Sequence, residues 1–490
     1  MSRVKRRILI AVSAVASVLI MSLLAAGLTL RHWQREWAPP DKRVELASKW
    51  PVLKISDLPP NGAFDLLQRA AKAQSGARPP EIQKELRRLN LEPWSDSSFP
   101  ILTRLLAENQ EALEIARSAA VAPDPQMPTY LSVTDSFPYV TPVMRISELF
   151  RASAARKAST RDFTGAYAEL ETSMAFVQIL SRGGGLIHVM VEMVCEIQAS
   201  KAMRLIALQH DLPPEVGSHA IARLLEISRT AEPLAETFRA EYRAVPSLVD
   251  IFFDPSKPSI LGIMADKKSA ASEQRIRSRM KRAGWLVGST REDVTADLAR
   301  VYKGLIEVAE KPYQAQELRR LDTAFVPRMQ SRDWILSRNP VGQMLTTITL
   351  PTLVPIIGRY HGRKADLHAT AVVIAVRQFE QTQRRPPDVL QDLVPSYLAQ
   401  VPVDSFSNEP LRFRRKVDGK WIVYSVGPNQ IDEGGEQPKV DPRKYDDPGD
   451  VVFCECEADV ARERIQREAG GRRTSGDLKG FRATVDSLDD

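Results

Sequence analysis

The stretch ADLHATAVVIAVRQFEQTQRRPPDVLQDL, residues 365–393, decides the fold of the C-terminal end of this chain. Apolar residues at helical spacing predict a helix over residues 366–383, with one broad apolar stripe made of Leu367, Ala371, Val372, Ala375, Val376 and Phe379. Pro386 and Pro387 end this helix, because proline lacks a backbone N–H and clashes with the preceding turn. Asp388 is expected to begin a short second helix, with Gln391 as its capping-box partner.

Three short segments that follow the helices predict strands. Residues 411–416 alternate apolar and basic side chains, as a half-buried strand does. Asp418-Gly419 supplies a tight turn, residues 421–426 return as a second strand, and residues 450–453 supply a third. Three strands against one helix are about the minimum that holds its own core. The sequence therefore predicts a small α+β domain over residues 365–453, in which a helix packs on a three-stranded antiparallel sheet.

The same region resembles the globular part of type II secretion pseudopilins. The resemblance is carried, in order, by RRPPDVLQDLVPSYLAQVPVDSF (384–406), EPLRFRR (409–415), DGKWIVYSVGPNQIDEGG (418–435) and DDPGDVVF (446–453). It implies a helix, a Pro-x-Asp-Pro-type turn, a small antiparallel sheet and an acidic loop that often binds calcium. The turn here is Pro402-Val403-Asp404-Ser405-Phe406, which lacks the second proline of the family.

An acidic, glycine-containing loop between the last two strands is the candidate site. It contains Asp432, Glu433, Asp446, Asp447 and Asp450. Calcium takes six to eight oxygen ligands from flexible loops, and clustered carboxylates supply such ligands. The alternative is a plain polar loop, since aspartate and glycine favour turns. Calcium is thus the one cofactor that the sequence suggests, and Asp432 and Asp450 match the family loop best.

The N-terminal residues predict a membrane anchor. Four basic residues precede residues 8–30, an uncharged run of 23 residues that spans about 35 Å as a helix. The basic residues stay in the cytoplasm, so residues 1–37 form a cytoplasmic stub and a single-pass anchor in the inner (cytoplasmic) membrane. The bulk of the chain is then extracytoplasmic. The alternative is a cleaved signal peptide ending near residues 24–27.

The remaining chain reads as mainly helical. Residues 38–60 form a linker, and residues 61–338 form a large all-helical domain with a helical hairpin over residues 143–158 and 162–181. Residues 339–364 form an apolar connector, in which the uncharged part 339–358 is buried or, alternatively, crosses the membrane. Residues 454–490 form a charged, disordered tail.

Few residues suggest chemistry elsewhere. No nucleophile, zinc, phosphate-binding or dinucleotide motif is present. His361 and His368 read as surface residues, whereas His188 and Cys195 read as buried structural residues. Cys454 and Cys456 read as two neighbouring thiols. The basic cluster over residues 272–283 contacts lipid headgroups or forms a solvated helix face.

The sequence therefore leaves three hypotheses for function. The first is a non-enzymatic, membrane-anchored protein of the bacterial envelope, with an interaction or structural role at type II secretion or pilus-like machinery. The N-terminal sequence lacks the leader and processing site of a filament subunit, which favours a borrowed module. The second is an envelope enzyme with a site in the helical domain, and the third is a calcium- or ligand-responsive binding module. The whole chain also resembles bacterial membrane-anchored envelope proteins, which implies no activity. Nucleic acid is not an expected partner, since a net charge of +7 is mild at 490 residues.

Overall fold

A computed structural model describes residues 46, 48–123, 125–133, 135–253, 290–325, 339–416, 419–436 and 449–454. The predicted anchor at residues 8–30, the basic cluster at 272–283 and the tail from residue 455 onward lie outside this part of the chain. Within it, no helix combines the length and the hydropathy that crossing a bilayer requires.

The described chain is mainly helical, as predicted. Six helices form its first half: α1 (Ala63–Ala73), α2 (Ile82–Arg88), α3 (Pro100–Glu108), α4 (Gln110–Ala120), α5 (Val140–Ser159) and α6 (Phe163–Gln178). Helices α5 and α6 are the two arms of the predicted helical hairpin. The Asp162 side chain begins the second arm by accepting a hydrogen bond from Gly165 N at 2.9 Å.

Seven further helices follow. They are α7 (Leu186–Gln209), α8 (Pro214–Thr230), α9 (Leu234–Tyr242), α10 (Val245–Phe253), α11 (Arg291–Ala309), α12 (Ala315–Phe325) and α13 (Pro340–Gln383). The glycine run at 183–185 ends just before α7, and Gly185 is the N-cap of this helix.

Helix α13 is a single helix of 44 residues. It begins at Pro340 rather than at residue 366, with the Asn339 side chain accepting a hydrogen bond from Gly342 N at 3.0 Å. It ends at Gln383, and Arg384 takes a left-handed conformation with φ of 58°. The predicted connector and the first helix of the predicted C-terminal domain are therefore parts of one helix. The proposed division into domains stays a prediction.

The predicted sheet is confirmed as three short antiparallel strands. Strands β1 (Arg412–Arg415), β2 (Trp421–Ser425) and β3 (Val451–Cys454) lie in the order β1-β2-β3. Phe413 pairs with Val423, and Val423 pairs with Phe453. The sheet packs on α13, and Trp421 Nε1 donates a hydrogen bond to Glu380 Oε1 on that helix at 2.8 Å.

The predicted short helix at Asp388 is a 3-10 turn over Leu390–Leu393. Its capping partner is Asp392 rather than Gln391, so that detail of the prediction is wrong. The Asp392 carboxylate accepts hydrogen bonds from the backbone N–H groups of Asp388 and Val389, at 2.9 and 3.2 Å. A carboxylate accepts such bonds without the orientation that an amide needs.

The core has three parts, and α13 contributes to two of them. One part holds the second half of α13 against α6, α7, α8 and the sheet, and the other holds its first half against α9 and α11. Residues 371–376 of α13 are fully buried. A helix that is apolar on all sides belongs inside a protein rather than on its surface. Helix α13 thus contacts both the helical body and the sheet within one of these core parts.

Candidate functional site

The acidic loop brings three of its five predicted carboxylates together. Asp450 N donates a hydrogen bond to Glu433 Oε2 at 3.1 Å, and Gly435 N donates to Asp450 Oδ2 at 2.7 Å. Asp432 accepts a hydrogen bond from Gly434 N at 2.8 Å. Asp446 and Asp447 lie outside the described residues, so their part of the prediction stays a prediction.

Two arginines of β1 hold this loop against the sheet. Arg412 Nε lies 2.8 Å from Asp432 Oδ2, and Arg414 Nη1 donates to Gly434 O at 2.8 Å. Within the described chain, no group of three His, Cys, Asp or Glu side chains is arranged to hold a metal ion. Any cation would therefore have to compete with Arg412 for Asp432.

Asp450 is the carboxylate that best fits a cation. It is 4% exposed, and among the described residues its Oδ1 atom has no hydrogen-bond partner. Burial and the nearby charges of Glu433 and Asp432 raise the pKa of Asp450 to about 6, although the bond from Gly435 N opposes this. A bound cation would remove this penalty by compensating the buried negative charge. Asp450, Glu433 and Asp432 are carboxylates, the type of ligand that calcium takes, but within the described chain they are not arranged as a metal site, so calcium stays a prediction.

A second site centres on Asp404, which the turn Pro402–Phe406 contains. This side chain is fully buried. Its two oxygens accept hydrogen bonds from Phe406 N, Ser425 Oγ, Val426 N and Ser407 Oγ, at 3.0, 2.8, 3.0 and 3.3 Å. Asp404 therefore connects the turn to the end of β2.

The two histidines of α13 bind the same turn. His361 Nδ1 lies 2.7 Å from Ser405 Oγ, and His368 Nδ1 lies 2.7 Å from Val403 O. The expectation that both are surface residues is wrong for His361, which is buried, and burial lowers its pKa to about 4. The seven-residue spacing does place both on one face of α13, where they hold a backbone segment.

The third site is a row of buried polar residues between α7 and α13, which we call the buried polar seam. Helix α7 contributes Glu192, Glu196, Ser200 and Arg204, and α13 contributes Arg363, Asp366 and Thr370. Residues four apart lie on the same face of a helix, so the α7 residues form one line. Ser200 Oγ lies 2.8 Å from Thr370 Oγ1, and Arg204 Nη1 lies 3.4 Å from Asp366 Oδ2.

The centre of the buried polar seam is an ion triad. Arg363 Nη1 lies 3.2 Å from Glu192 Oε1 and 3.0 Å from Glu196 Oε2, and each of these side chains is at most 1% exposed. Gln178 of α6 donates a hydrogen bond to Glu196 Oε1 at 2.9 Å. The guanidinium also lies 5.1 Å from the centre of the Tyr360 ring.

The pKa values of both glutamates in the triad are raised, which favours a proton on the pair. Burial and the neighbouring Glu196 raise the pKa of Glu192 to about 8, despite the opposing charge of Arg363. Burial also raises the pKa of Glu196, while Arg363 opposes this. Two carboxylates beside one guanidinium would leave an uncompensated buried negative charge. A proton on the glutamate pair removes it, and the two groups titrate as a unit.

His188 and Cys195 are buried, as predicted. Gly185 N donates to His188 Nδ1 at 3.2 Å, so His188 Nε2 carries the proton and donates to Tyr139 Oη at 2.8 Å. The ring stacks on Tyr130 with centroids 5.2 Å apart. Burial lowers the pKa of His188 to about 4, so this residue is neutral in the folded protein at neutral pH.

Sequence reasoning missed the buried polar seam. The available signal was the spacing Glu192, Glu196, Ser200 and Arg204 within α7, a helix that is otherwise mostly apolar. Charges that recur every four residues inside an apolar helix indicate a buried partner helix of matching charge. The partner Arg363 carries no such spacing signal of its own.

Comparison with known proteins found no match: no family model, no curated protein and no solved structure is similar to this chain. The observed helices and strands alone define the fold class, which is mainly helical with a small three-stranded antiparallel sheet near the C-terminus. The resemblance to pseudopilins stays a prediction.

Proposed function

We propose that this chain is a membrane-anchored, extracytoplasmic protein of the bacterial envelope with a non-enzymatic interaction role. Its partners would be components of type II secretion or pilus-like machinery. The observation that supports this proposal is the course of α13, which packs against helices of the body along its whole length and also carries the sheet on its second half. A sheet fixed in this way keeps a constant orientation relative to the helical body.

Contacts beyond α13 also fix the sheet region to the helical body. Tyr313, just before α12, donates a hydrogen bond from its hydroxyl to Pro428 O at 3.0 Å. Gln430 Nε2 donates to Tyr313 O at 3.1 Å, and Gln430 Oε1 accepts from Ala315 N at 2.9 Å. The loop after β2 therefore moves with the helices, which favours a fixed binding surface over a flexibly linked one.

Exposed apolar side chains in the sheet region are the proposed contacts to a partner protein. Val389 and Ile431 are 54% and 57% exposed, and Val403 and Val451 are 37% and 36% exposed. Apolar side chains that stay in water in the isolated protein gain free energy when a partner covers them.

Calcium is proposed as a structural ion of the acidic loop. Asp450, Glu433 and Asp432 would supply carboxylate oxygens, and calcium bound there would neutralise the buried charge on Asp450. The loop borders β3, so an ordered loop would fix the edge of the sheet that a partner meets.

The buried glutamates support an enzyme only weakly. Perturbed pKa values are common at active sites, and the pKa values of Glu192 and Glu196 are both raised. These side chains are, however, at most 1% exposed and face Arg363 between two packed helices. A structural charge network explains this arrangement without a substrate, so the interaction role is the better supported proposal.

Capture of partners from native membranes tests the proposal. The full-length chain is cross-linked in its own membrane, purified and analysed for secretion or pilus-like components. We expect such components with the wild-type chain and a clear loss with the variant Val389→Asp/Ile431→Asp. The matched control Val121→Asp, at an 84% exposed position in the helical body, should keep them.

Two results would overturn the proposal. One is capture that does not include such machinery or does not depend on the sheet region. The other is a reporter fused after Asp490 that is active only in the cytoplasm, because this would place the body on the wrong side of the membrane.

A further inference from the structure

We propose that one end of the helical body, where the chain enters from the predicted anchor, rests on the lipid surface of the membrane. We call this the entry end and define it by residues 48–55, 127–133 and 182–188. The inference rests on the proposed function in one respect, namely the anchor at residues 8–30. It adds a surface, a partner of defined chemistry and an orientation of the body.

The first segment of the entry end is fixed to helix α9 and its flanks. Trp50 Nε1 donates a hydrogen bond to Glu232 Oε1 at 3.1 Å, and Lys49 N donates to Glu236 Oε2 at 2.9 Å. Arg243 also donates a hydrogen bond to Trp50 O. The chain is therefore held at a defined place on the body immediately after the linker.

Backbone hydrogen bonds connect the three segments to one another. Thr129 N donates to Leu53 O at 2.8 Å, and Leu53 N donates to Thr129 Oγ1 at 3.0 Å. Met127 N donates to Arg182 O at 2.8 Å. The stack of Tyr130 on His188 adds a contact to the first turn of α7. Residues that lie far apart in sequence therefore form one local surface.

Exposed apolar side chains are concentrated in these segments. Val52 and Ile55 are each 59% exposed, and Leu131, Val133 and Ile187 are 52%, 42% and 39% exposed. Single exposed apolar residues are common, but five within three short connected segments are a feature of binding surfaces. Four more exposed apolar residues lie in the sheet region, so the two groups are separate in the chain.

The position of the anchor determines which partner this surface meets. Residues 31–45 separate the predicted anchor from Leu46, and 15 residues reach at most about 50 Å when fully extended. A short tether keeps the effective concentration of the entry end at the lipid surface near the millimolar range. A weak lipid contact, negligible for a free protein, then becomes populated. This places the lipid surface ahead of a protein as the partner.

The charge at the entry end agrees with a bacterial lipid surface. Lys49, which forms an ion pair with Glu232 at 2.8 Å but keeps 52% of its side chain exposed, and the exposed Lys54 flank Val52. Basic residues beside apolar residues favour anionic headgroups near the membrane surface. Val52 and Leu131 would insert among the lipid chains nearest the headgroups, with the lysines at the headgroups themselves.

Photo-crosslinking to lipid tests this inference on the full-length chain. The protein is reconstituted into vesicles of phosphatidylethanolamine and phosphatidylglycerol that contain a diazirine-labelled phospholipid. After irradiation, lipid adducts are mapped by mass spectrometry. We expect adducts on residues 8–30 and, as the distinguishing result, on peptides that contain residues 52–55 and 131–133.

Variants separate a specific contact from general labelling. Val52→Ser/Leu131→Ser should lower the adducts on the entry end several-fold and leave those on residues 8–30 unchanged. The control Val389→Ser/Ile431→Ser, in the sheet region, should leave both sets unchanged. The four positions of the two double variants are more than half exposed, so thermal unfolding should match the wild type. Val133→Ser, at a position that is 42% exposed, should lower the adducts on the entry end by a smaller amount.

The outcomes also distinguish this inference from the proposed function. Adducts on residues 8–30 without adducts on the entry end overturn the inference and leave the anchor intact. A chain that does not float with the vesicles and carries no adducts contradicts the anchor at residues 8–30, and with it the proposed function. In native membranes, cross-links from residues 52 and 131 to a protein instead of lipid would replace the lipid surface with a protein partner.

Discussion

The Arg363 guanidinium lies 3.0 Å from the Glu196 carboxylate, and neither side chain is exposed by more than 1%. Arg363 belongs to the helix that carries the sheet, and Glu196 belongs to the centre of the helical body. Their contact joins the two regions through charge rather than through apolar packing alone. An ion pair at this depth is retained because breaking it leaves an uncompensated charge in the core.

Substitution of Arg363 tests this joint. Arg363→Met keeps much of the side-chain volume but removes the charge opposite Glu192 and Glu196. We expect the free energy of unfolding to fall by about 3–5 kcal/mol, because one partner of a buried ion pair is lost. Denaturant unfolding, followed by tryptophan fluorescence, measures the change.

The matched control is Arg385→Met, at an exposed arginine that pairs with Asp388. It should change the free energy of unfolding by less than about 1 kcal/mol. The triple variant Arg363→Met/Glu192→Gln/Glu196→Gln should recover part of the loss. If Arg363→Met is no worse than the control, the triad does not hold the two regions together.

Glu192 should make stability depend on pH. The pKa of this carboxyl is raised to about 8 in the folded protein, above its ordinary value of 4.5. The folded state therefore binds this proton more tightly than the unfolded state does. The resulting stabilisation of the folded state is complete below about pH 4.5 and is lost as the pH rises through about 8. Between these two pH values the free energy of unfolding should fall by up to about 1.4 kcal/mol per pH unit.

The variant Glu192→Gln should remove this slope, because glutamine resembles the protonated carboxyl and does not titrate. Thermal unfolding between about pH 7 and about pH 8 is the measurement, since the slope from Glu192 fades above about pH 8 and the lowered pKa of His188 acts only at more acidic values. Glu307→Gln, at an exposed position on α11, serves as the control. Equal slopes for wild type and Glu192→Gln would show that Glu192 holds no proton in this range.

Asp404 should be among the most sensitive positions in the sheet region. Asp404→Ala leaves the N–H groups of Phe406 and Val426 without their acceptor in a buried setting. Each lost acceptor costs about 1–3 kcal/mol, so a total loss of about 3–5 kcal/mol is expected. Hydrogen exchange of the Val426 amide, together with denaturant unfolding, reports the effect.

Asp404→Asn should lower the free energy of unfolding less than Asp404→Ala does, because one side-chain oxygen remains to accept hydrogen bonds. The exposed Asp388→Ala removes a carboxylate of the same region without removing a buried acceptor and should cost less than about 1 kcal/mol. A loss for Asp404→Ala no larger than that of Asp388→Ala would contradict the central position of Asp404.

Calcium should stabilise the chain through Asp450. Calcium at millimolar concentration is expected to raise the midpoint of thermal unfolding relative to chelator, and magnesium should do so less because it gives up its water reluctantly. The effect should weaken as the pH falls below about 6, where protons compete for Asp450. Differential scanning calorimetry with each ion provides the measurement.

Asp450→Asn should abolish the calcium effect, while Asp388→Asn should leave it intact. An unchanged midpoint in calcium for the wild type would rule out the proposed structural ion. It would leave Arg412 as the charge that stabilises the loop, through its ion pair with Asp432.

Local patterns predicted most of the secondary structure. The apolar stripe and the double proline located the end of α13, and alternation with a Gly419 turn located β1 and β2. These signals succeed because they depend on residues close in sequence. The start of α13 at Pro340 was missed, because residues 339–364, which contain Pro351 and Pro355, were interpreted as an apolar connector. Packing against α9 and α11 maintains the helix there, despite the lost backbone hydrogen bonds.

Side-chain environments were harder to predict. His361 reads as polar in sequence, yet it is buried because the turn at Ser405 folds over it. The spacing of Glu192 and Glu196 indicates a charged partner helix, but it does not identify that partner. The partner is Arg363, which lies 167 residues after Glu196 in the sequence. Sequence spacing shows which face a residue occupies, but not what covers that face.

The sequence by itself determined the mainly helical class, the three-stranded sheet and the residues of the acidic loop, because helix, strand and turn preferences act over a few neighbouring residues. Only the tertiary structure decided that α13 belongs to both regions, that Arg363 meets two glutamates, and that Asp450 is buried beside Glu433. Those outcomes depend on which helices pack together. Burial and charge pairing are set by contacts between distant parts of the chain.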